Sequence, residues 1–246
     1  MNIYEIIGDA VKYPISNWRK LIILGILFLL VNSLPLVGRV LLAPQLVLIG
    51  VYLILMIIPL FFVIGYIFRV LKTTIAGFNE LPEFNKPWEM FIDGLKVSIV
   101  VIIYMITPWL IMRIGLFIAR SNLTISSITG LVGFIVAIIF LLLLTIAIAH
   151  MAANNQFRAA FMIREVLDII SRIGWGKYIL WYIIVVIIIG IISFILNFII
   201  MLGYIGLNIA TGPLVAYIIA NLLSAIFIRS YLSLFFSRAL GLLYPK

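Results

Sequence analysis

The chain has 246 residues, of which 66% are hydrophobic and only 10% charged. Soluble domains run near half apolar and could not bury that much surface, so lipid is the solvent for most of the chain. A net charge of +9 would suggest nucleic acid for a soluble protein but here asks which membrane face holds the cations, and the lack of cysteine removes disulfides, a thiolate nucleophile and a Cys metal site.

Residues 2–13 set Ile3, Ile6, Ile7, Ala10 and Val11 on one helical face and mostly Glu5, Asp9 and Lys12 on the other. That is the pattern of an amphipathic helix lying on the membrane, ended by Pro14. Acids this early are unlike the short basic start of a secretory signal, and Pro44 after Ala43 disfavours cleavage, so the first apolar segment is expected to stay as a span. Trp18, Arg19 and Lys20 form its collar, and LIILGILFLLVNSLPLV crosses the bilayer. Pro35, Gly38 and Pro44 mark the far-side turn, and the return span covers roughly 46–68, with Pro59 to kink it.

The stretch Gly65–Lys96 organises the chain. Arg69 and Lys72 stand at its mouth, a turn runs from Asn79 to Phe84, and a second amphipathic helix is expected from about Trp88, with Glu89 and Asp93 one turn apart and Lys96 closing the face. A third span follows at roughly 97–118, interrupted by Pro108. Arg113, Arg120 and the polar run Ser121 to Thr129 make a second far-side loop, and a fourth span runs from about 130 to 152. Phe157, Ala160, Phe161, Val166, Ile169 and Ile170 alternate with Arg158, Arg164, Glu165, Asp168 and Arg172 in a third surface helix, collared by Trp175, Lys177 and Tyr178. Residues 179–202 form a fifth span, Gly203 to Gly212 a turn, and 213–236 the last crossing.

The fold class expected is therefore an all-α integral membrane protein with six transmembrane helices in three hairpins, each hairpin preceded by a cytoplasmic amphipathic surface helix. A single membrane domain is expected, with possible internal repeats at 1–78, 79–155 and 156–246. Glu5-x3-Asp9-x2-Lys12 and Glu89-x3-Asp93-x2-Lys96 share one spacing, and Glu165-x2-Asp168-x3-Arg172 departs from it by one position. With these spans, every basic residue except Arg39, Arg113 and Arg120, and all eight acids, fall on one side. The positive-inside bias makes that side cytoplasmic and puts both termini there, in the cell membrane.

The middle third of each span lacks Asp, Glu, Lys and Arg, which argues against a proton pump or voltage sensor. His150, the lone histidine, has no partner set for a metal and reads as an interfacial residue. The amides Asn32, Asn197 and Asn221 lie at membrane depth, where such groups bond between helices or could line a substrate site. Gly130, Gly133, Gly203 and Gly206 read as turn or span-edge residues. Glu80, Glu83, Glu89 and Asp93 form a carboxylate cluster that reads as a solvated face, or as a contact for a cation or a basic partner. The cations at the bilayer edge, with Trp18, Trp88, Trp175 and Trp181, suit anionic headgroups, at about 1 kcal/mol per charge. The headgroup or partner candidates are Arg69, Lys72, Glu80, Glu83, Trp88, Asp93, Arg164, Arg172, Trp175 and Lys177.

Gly65-Tyr66-x2-Arg69-Val70-Leu71-Lys72, then Gly77 and Glu80-Leu81-Pro82-Glu83-Phe84, resembles the archaeal and bacterial multi-pass proteins grouped as domain of unknown function 4013. Trp88, Asp93-Gly94, Lys96 and Gly174-Trp175-Gly176-Lys177-Tyr178 extend the resemblance over most of the chain. More distantly the pattern is similar to the membrane domain attached to some glycerophosphodiester phosphodiesterases. The resemblance implies six spans and a cytoplasmic-membrane home, in a methanogenic archaeon, and brings no catalytic residues. The reading from the sequence is a non-enzymatic membrane protein without a cofactor or nucleic-acid partner, whose surface helices gather membrane lipids or a protein partner. Two alternatives stand beside it. One is a permease or flippase-like carrier with a path near Pro59, Pro108 and Asn197. The other is a membrane enzyme using Glu80, Glu83, Asp93 and His150.

Overall fold

The computed structural model describes residues 2–32, 46–118 and 123–245, and among these every regular element is helical. The far-side turn with Arg39, and Arg120 and Ser121, lie outside the described residues.

Helix α1 (Ile3–Lys12) starts at Asn2, whose N–H donates to Glu5 Oε2 at 3.0 Å. Its apolar stripe of Ile3, Ile6 and Ala10 is buried, and α9, the last helix (Tyr231–Leu243), covers it. The helix expected to lie on lipid therefore spends its apolar face on protein. A 3₁₀ turn, Tyr13–Ser16, contains Pro14, and the axis then bends by 83° into α2 (Trp18–Asn32).

Helix α3 (Leu46–Ile75) runs unbroken through Pro59 and two turns past the expected boundary. It stops in a Schellman arrangement: Phe78 N–H donates to Thr73 O and Gly77 N–H to Thr74 O, each at 3.0 Å. Gly77 takes φ +91°, a conformation that only glycine adopts cheaply, which accounts for a glycine at this point.

Helix α4 (Pro87–Ile118) corrects the expectation of a separate surface helix before the third span. Trp88 to Lys96 is simply its first part. The one residue there that could have broken it, Gly94, instead brings two helices together. A Cβ on Gly94 would run into the Phe61 carbonyl of α3, and one on Gly65 into the Met90 carbonyl of α4. Paired small residues let membrane helices approach backbone to backbone.

Helix α5 (Leu123–Asn154) absorbs most of the polar run expected as a loop, since Thr129 Oγ1 donates to Ile125 O at 2.8 Å and so satisfies its hydroxyl inside the helix. After a 3₁₀ turn (Phe157–Phe161), α6 (Ile163–Ile173) is a separate amphipathic helix with Val166, Ile169 and Ile170 buried. Gly174, at φ +92°, turns the chain into α7 (Trp175–Thr211). Gly203 and Gly206 are helical, and the expected turn shrinks to Gly212 at φ +87°, followed by Pro213. Helix α8 (Pro213–Leu223) continues through a π-helical segment, Ser224–Ser230, into α9. Ser230 Oγ donates to Ala225 O at 2.9 Å, and Ile226 of the widened turn presses on Gly25 of α2, where a Cβ would come within 2.6 Å.

Among the described residues five helices are long and apolar enough to cross a membrane, and the bent pair α1–α2 would make six. In the first, Met56–Ile75, and in the last, Pro213–Leu243, about a third of the most apolar window is buried, against 6% in α7.

Candidate functional site

The charged ends of α2, α3, α4, α5, α7 and α9 meet at one end of the molecule, with α1 and α6 against them. Arg238 is its hub. Only 2% exposed, it donates from Nε to Asp9 Oδ1 at 2.6 Å and from Nη2 to Asp9 Oδ2 at 3.2 Å. Nη1 reaches Phe78 O at 2.7 Å and Nη2 reaches Asn79 Oδ1 at 2.8 Å, while the guanidinium lies over the Tyr13 ring. One side chain thus joins α1, the α3–α4 loop and α9. Sequence reasoning used Arg238 only to mark a side. Its setting within LFFSRALGLL, a cation in an apolar helix, was the available signal.

The α3–α4 loop is tied down from several directions. Arg69 Nη1 donates to Glu83 O, Asn85 O and Asn85 Oδ1 at 3.0, 2.6 and 2.9 Å. Lys20 Nζ donates to Leu81 O and pairs with Glu83 Oε1, both at 2.6 Å. Tyr13 and Tyr66 donate their hydroxyls to Glu80 O and Pro82 O, and Phe84 stacks on Tyr66 at 3.8 Å. Lys72 pairs with Asp93 Oδ2 at 2.9 Å and donates to Asn155 Oδ1 at 2.8 Å. Of the candidate cations, Arg69 and Lys72 are therefore held by internal partners.

His150 is far from lone. It is 7% exposed, with Nε2 at 2.8 Å from Glu165 Oε2 of α6 and Nδ1 at 2.8 Å from Tyr244 Oη beyond α9. Burial pushes the Tyr244 phenol above its usual range, opposed by the charge of Arg172 and reinforced by that of Glu165.

Between α1 and α6 lies a cleft of about 680 Å³, lined by Ile6, Asp9, Thr74, Asn79, Arg172, Lys177, Arg238 and Tyr244 among others. Among the described residues of the lining Asp9 is the sole carboxylate, and it is already closed on Arg238, while Arg172 adds a further cation to the walls. Of the remaining candidates, Arg164, Trp175 and Trp88 are exposed, and Trp88 (71% exposed) stacks on Phe91. Glu80 and Glu83 extend from the loop. Trp181, expected at the bilayer edge, is instead fully buried beside Tyr178, its indole N–H without a hydrogen-bond partner.

The membrane-depth amides do not join helices as expected. Asn197 Nδ2 donates to Ser193 O and Asn221 Nδ2 to Tyr217 O, each within its own helix, because an i−4 carbonyl is always in reach. The Asn32 side chain lies outside the described part. A second cavity, about 350 Å³ and almost wholly apolar, lies among Leu71, Val97, Val101, Leu144, Ile148 and Leu240. Two of its hydroxyls are spent: Thr145 donates to Leu141 O and Ser237 to Ile67 O.

The family described as "Protein of unknown function (DUF4013)" matches residues 48–201. The chain belongs to this family. The match takes in the Gly65–Lys96 stretch, His150, Glu165, Arg172 and Lys177, and stops short of Arg238 and Tyr244. The chain is 29% identical over 198 residues to the uncharacterized protein MJ1189 of Methanocaldococcus jannaschii, covering 73% of this chain and 66%, just under two thirds, of that one. It is 26% identical over 270 residues to the uncharacterized protein MJ0233 of the same organism, covering 96% and 94%. No solved structure matches. The more distant likeness to the phosphodiesterase membrane domain is not shown by these relatives.

Proposed function

We propose that this DUF4013 protein is a non-enzymatic protein of the cell membrane, with six spans in three hairpins and both termini in the cytoplasm, that receives an anionic lipid headgroup in the cleft between α1 and α6. The observation that carries the reading is the charge of that cleft. Arg172 lines a polar space in which Asp9, the sole carboxylate among the described lining residues, is closed on Arg238, and Lys177 stands in the same wall. Each such cation near an anionic surface contributes about 1 kcal/mol, and a guanidinium suits phosphate by its paired donors. The exposed Trp175 between them suits the interface, where indole rings settle. Arg69, also a candidate by sequence, serves the reading by fixing the loop that floors the site, and Lys72 by tying α3 to Asp93 and Asn155.

Native mass spectrometry of the protein released from its own membranes in mild detergent tests this. Wild type should carry a discrete anionic lipid, and the Arg172→Glu/Lys177→Glu variant should lose it while keeping its elution volume and helix content. An adduct that survives both reversals overturns the reading. The carrier alternative draws support from the apolar cavity alone, and Pro59, Pro108 and Asn197, where a path was expected, do not line it.

A further inference from the structure

The inference here rests on the reading of the cleft as an anion site and adds how that site is regulated. We infer that anion binding in the cleft is coupled to protonation of His150, with the Tyr244 hydroxyl as the relay between them.

An ionised carboxylate only accepts hydrogen bonds, so His150 Nε2, 2.8 Å from Glu165 Oε2, carries its hydrogen in both charge states. Asn154 Nδ2 lies 3.0 Å from the His150 carbonyl, which fixes that atom as the amide nitrogen, and 3.1 Å from Nδ1. In the neutral imidazole Nδ1 is therefore the bare acceptor. Tyr244, 2.8 Å away, gives its hydroxyl hydrogen to it and so has none to give to a third group. Protonation reverses this bond. Nδ1–H now donates to the phenol oxygen, and the hydroxyl hydrogen must turn away from the ring toward another acceptor. Tyr244 and Arg172 both line the cleft, and the charge of Arg172 acts on this phenol, so an anion held there is that acceptor.

The groups facing His150 are Glu165 from α6, Tyr244 from the segment after α9, and the uncharged Asn154 from its own helix; Arg172 acts on the same phenol. Burial keeps the phenol protonated throughout, so Tyr244 passes on a change of direction without ionising. Because the protonated state offers the anion a donor in place of lone pairs, and an added positive charge behind it, linkage requires that binding take up a proton. Affinity then rises as pH falls.

Isothermal titration of the full chain in detergent with dihexanoylphosphatidylglycerol measures this, at pH 8 and 5.5 and in two buffers of different ionisation enthalpy. That phosphodiester keeps a single charge across the interval, so any proton taken up belongs to the protein. Binding should be about tenfold tighter at pH 5.5, the worth of one hydrogen bond to a charged group, with net proton uptake between the two. His150→Gln should bind with no such slope, and Tyr244→Phe, which keeps the charge and loses the hydroxyl, with a smaller one. Wild-type binding without proton uptake, or a slope kept by folded His150→Gln, overturns the relay and leaves the cleft reading standing. Absence of binding at both pH values overturns the cleft reading and the relay with it. Equal binding of deacylated glycerophosphoglycerol with the same uptake supports the relay and replaces the lipid by a soluble phosphodiester.

Discussion

The two ends of the helix bundle are built on different principles. At the charged end, polar side chains bridge elements far apart in sequence: Arg238 to Asp9, Tyr231 Oη to Val11 O, Lys20 to Glu83, Lys72 to Asn155. Toward the other end, α7 buries nothing after Val185, and Asn197 and Asn221 bond only within their own helices. The charged end makes its own interior and can hold a cleft in fixed shape. The apolar end leaves its side chains to be covered by lipid, which has no shape to read. The proposed ligand site therefore lies at the charged end.

The sharpest way to break this contrast is at the hub. Asp9→Ala leaves Arg238 buried with its charge unpaired and should lower stability in detergent by about 3 kcal/mol. Asp9→Leu/Arg238→Met should recover most of that loss, since it removes both charges. Urea or thermal unfolding followed by circular dichroism would read both. Next in size is the glycine contact. Gly94→Ala pushes a methyl against the α3 backbone and should cost about 2 kcal/mol. Gly206→Ala, at the apolar end, meets open space and should gain about 0.5 kcal/mol from better helix propensity.

How much of this was legible in the chain follows the same divide. Apolar runs identify helices well, so the cores of α3, α4, α5, α7 and the last span lie where hydropathy puts them. Their ends were misplaced for local reasons. Gly203 and Gly206 look like turn residues, yet a helix in lipid keeps its backbone bonds through glycine because no water competes for them. The Trp88–Lys96 pattern fits either a surface helix or the polar end of a span, and only the contact at Gly94 decides. The site was harder. Glu165 and Tyr244 stand 15 and 94 residues from His150, and Asp9 stands 229 from Arg238. No local period carries such partners, so His150 read as solitary and Arg238 as a marker of sidedness. Arg172 and Lys177 were already candidates because charge beside tryptophan is a local signal.

The smallest expected effect lies at the apolar end. Asn197→Leu removes an amide that bonds only to Ser193 of its own helix, and the unfolding midpoint should move by less than the equivalent of about 0.5 kcal/mol. A loss of 2 kcal/mol there would mean that this end carries specific packing after all.

The most direct measurement is photo-crosslinking with a phosphatidylglycerol whose diazirine sits in the headgroup, followed by peptide mapping of the full chain in native membranes. The account predicts adducts concentrated on the peptides that contain Arg172, Lys177 and Tyr244, lost on Arg172→Glu/Lys177→Glu. Adducts spread evenly over the interfacial tryptophans, and unchanged by those two reversals, would contradict it.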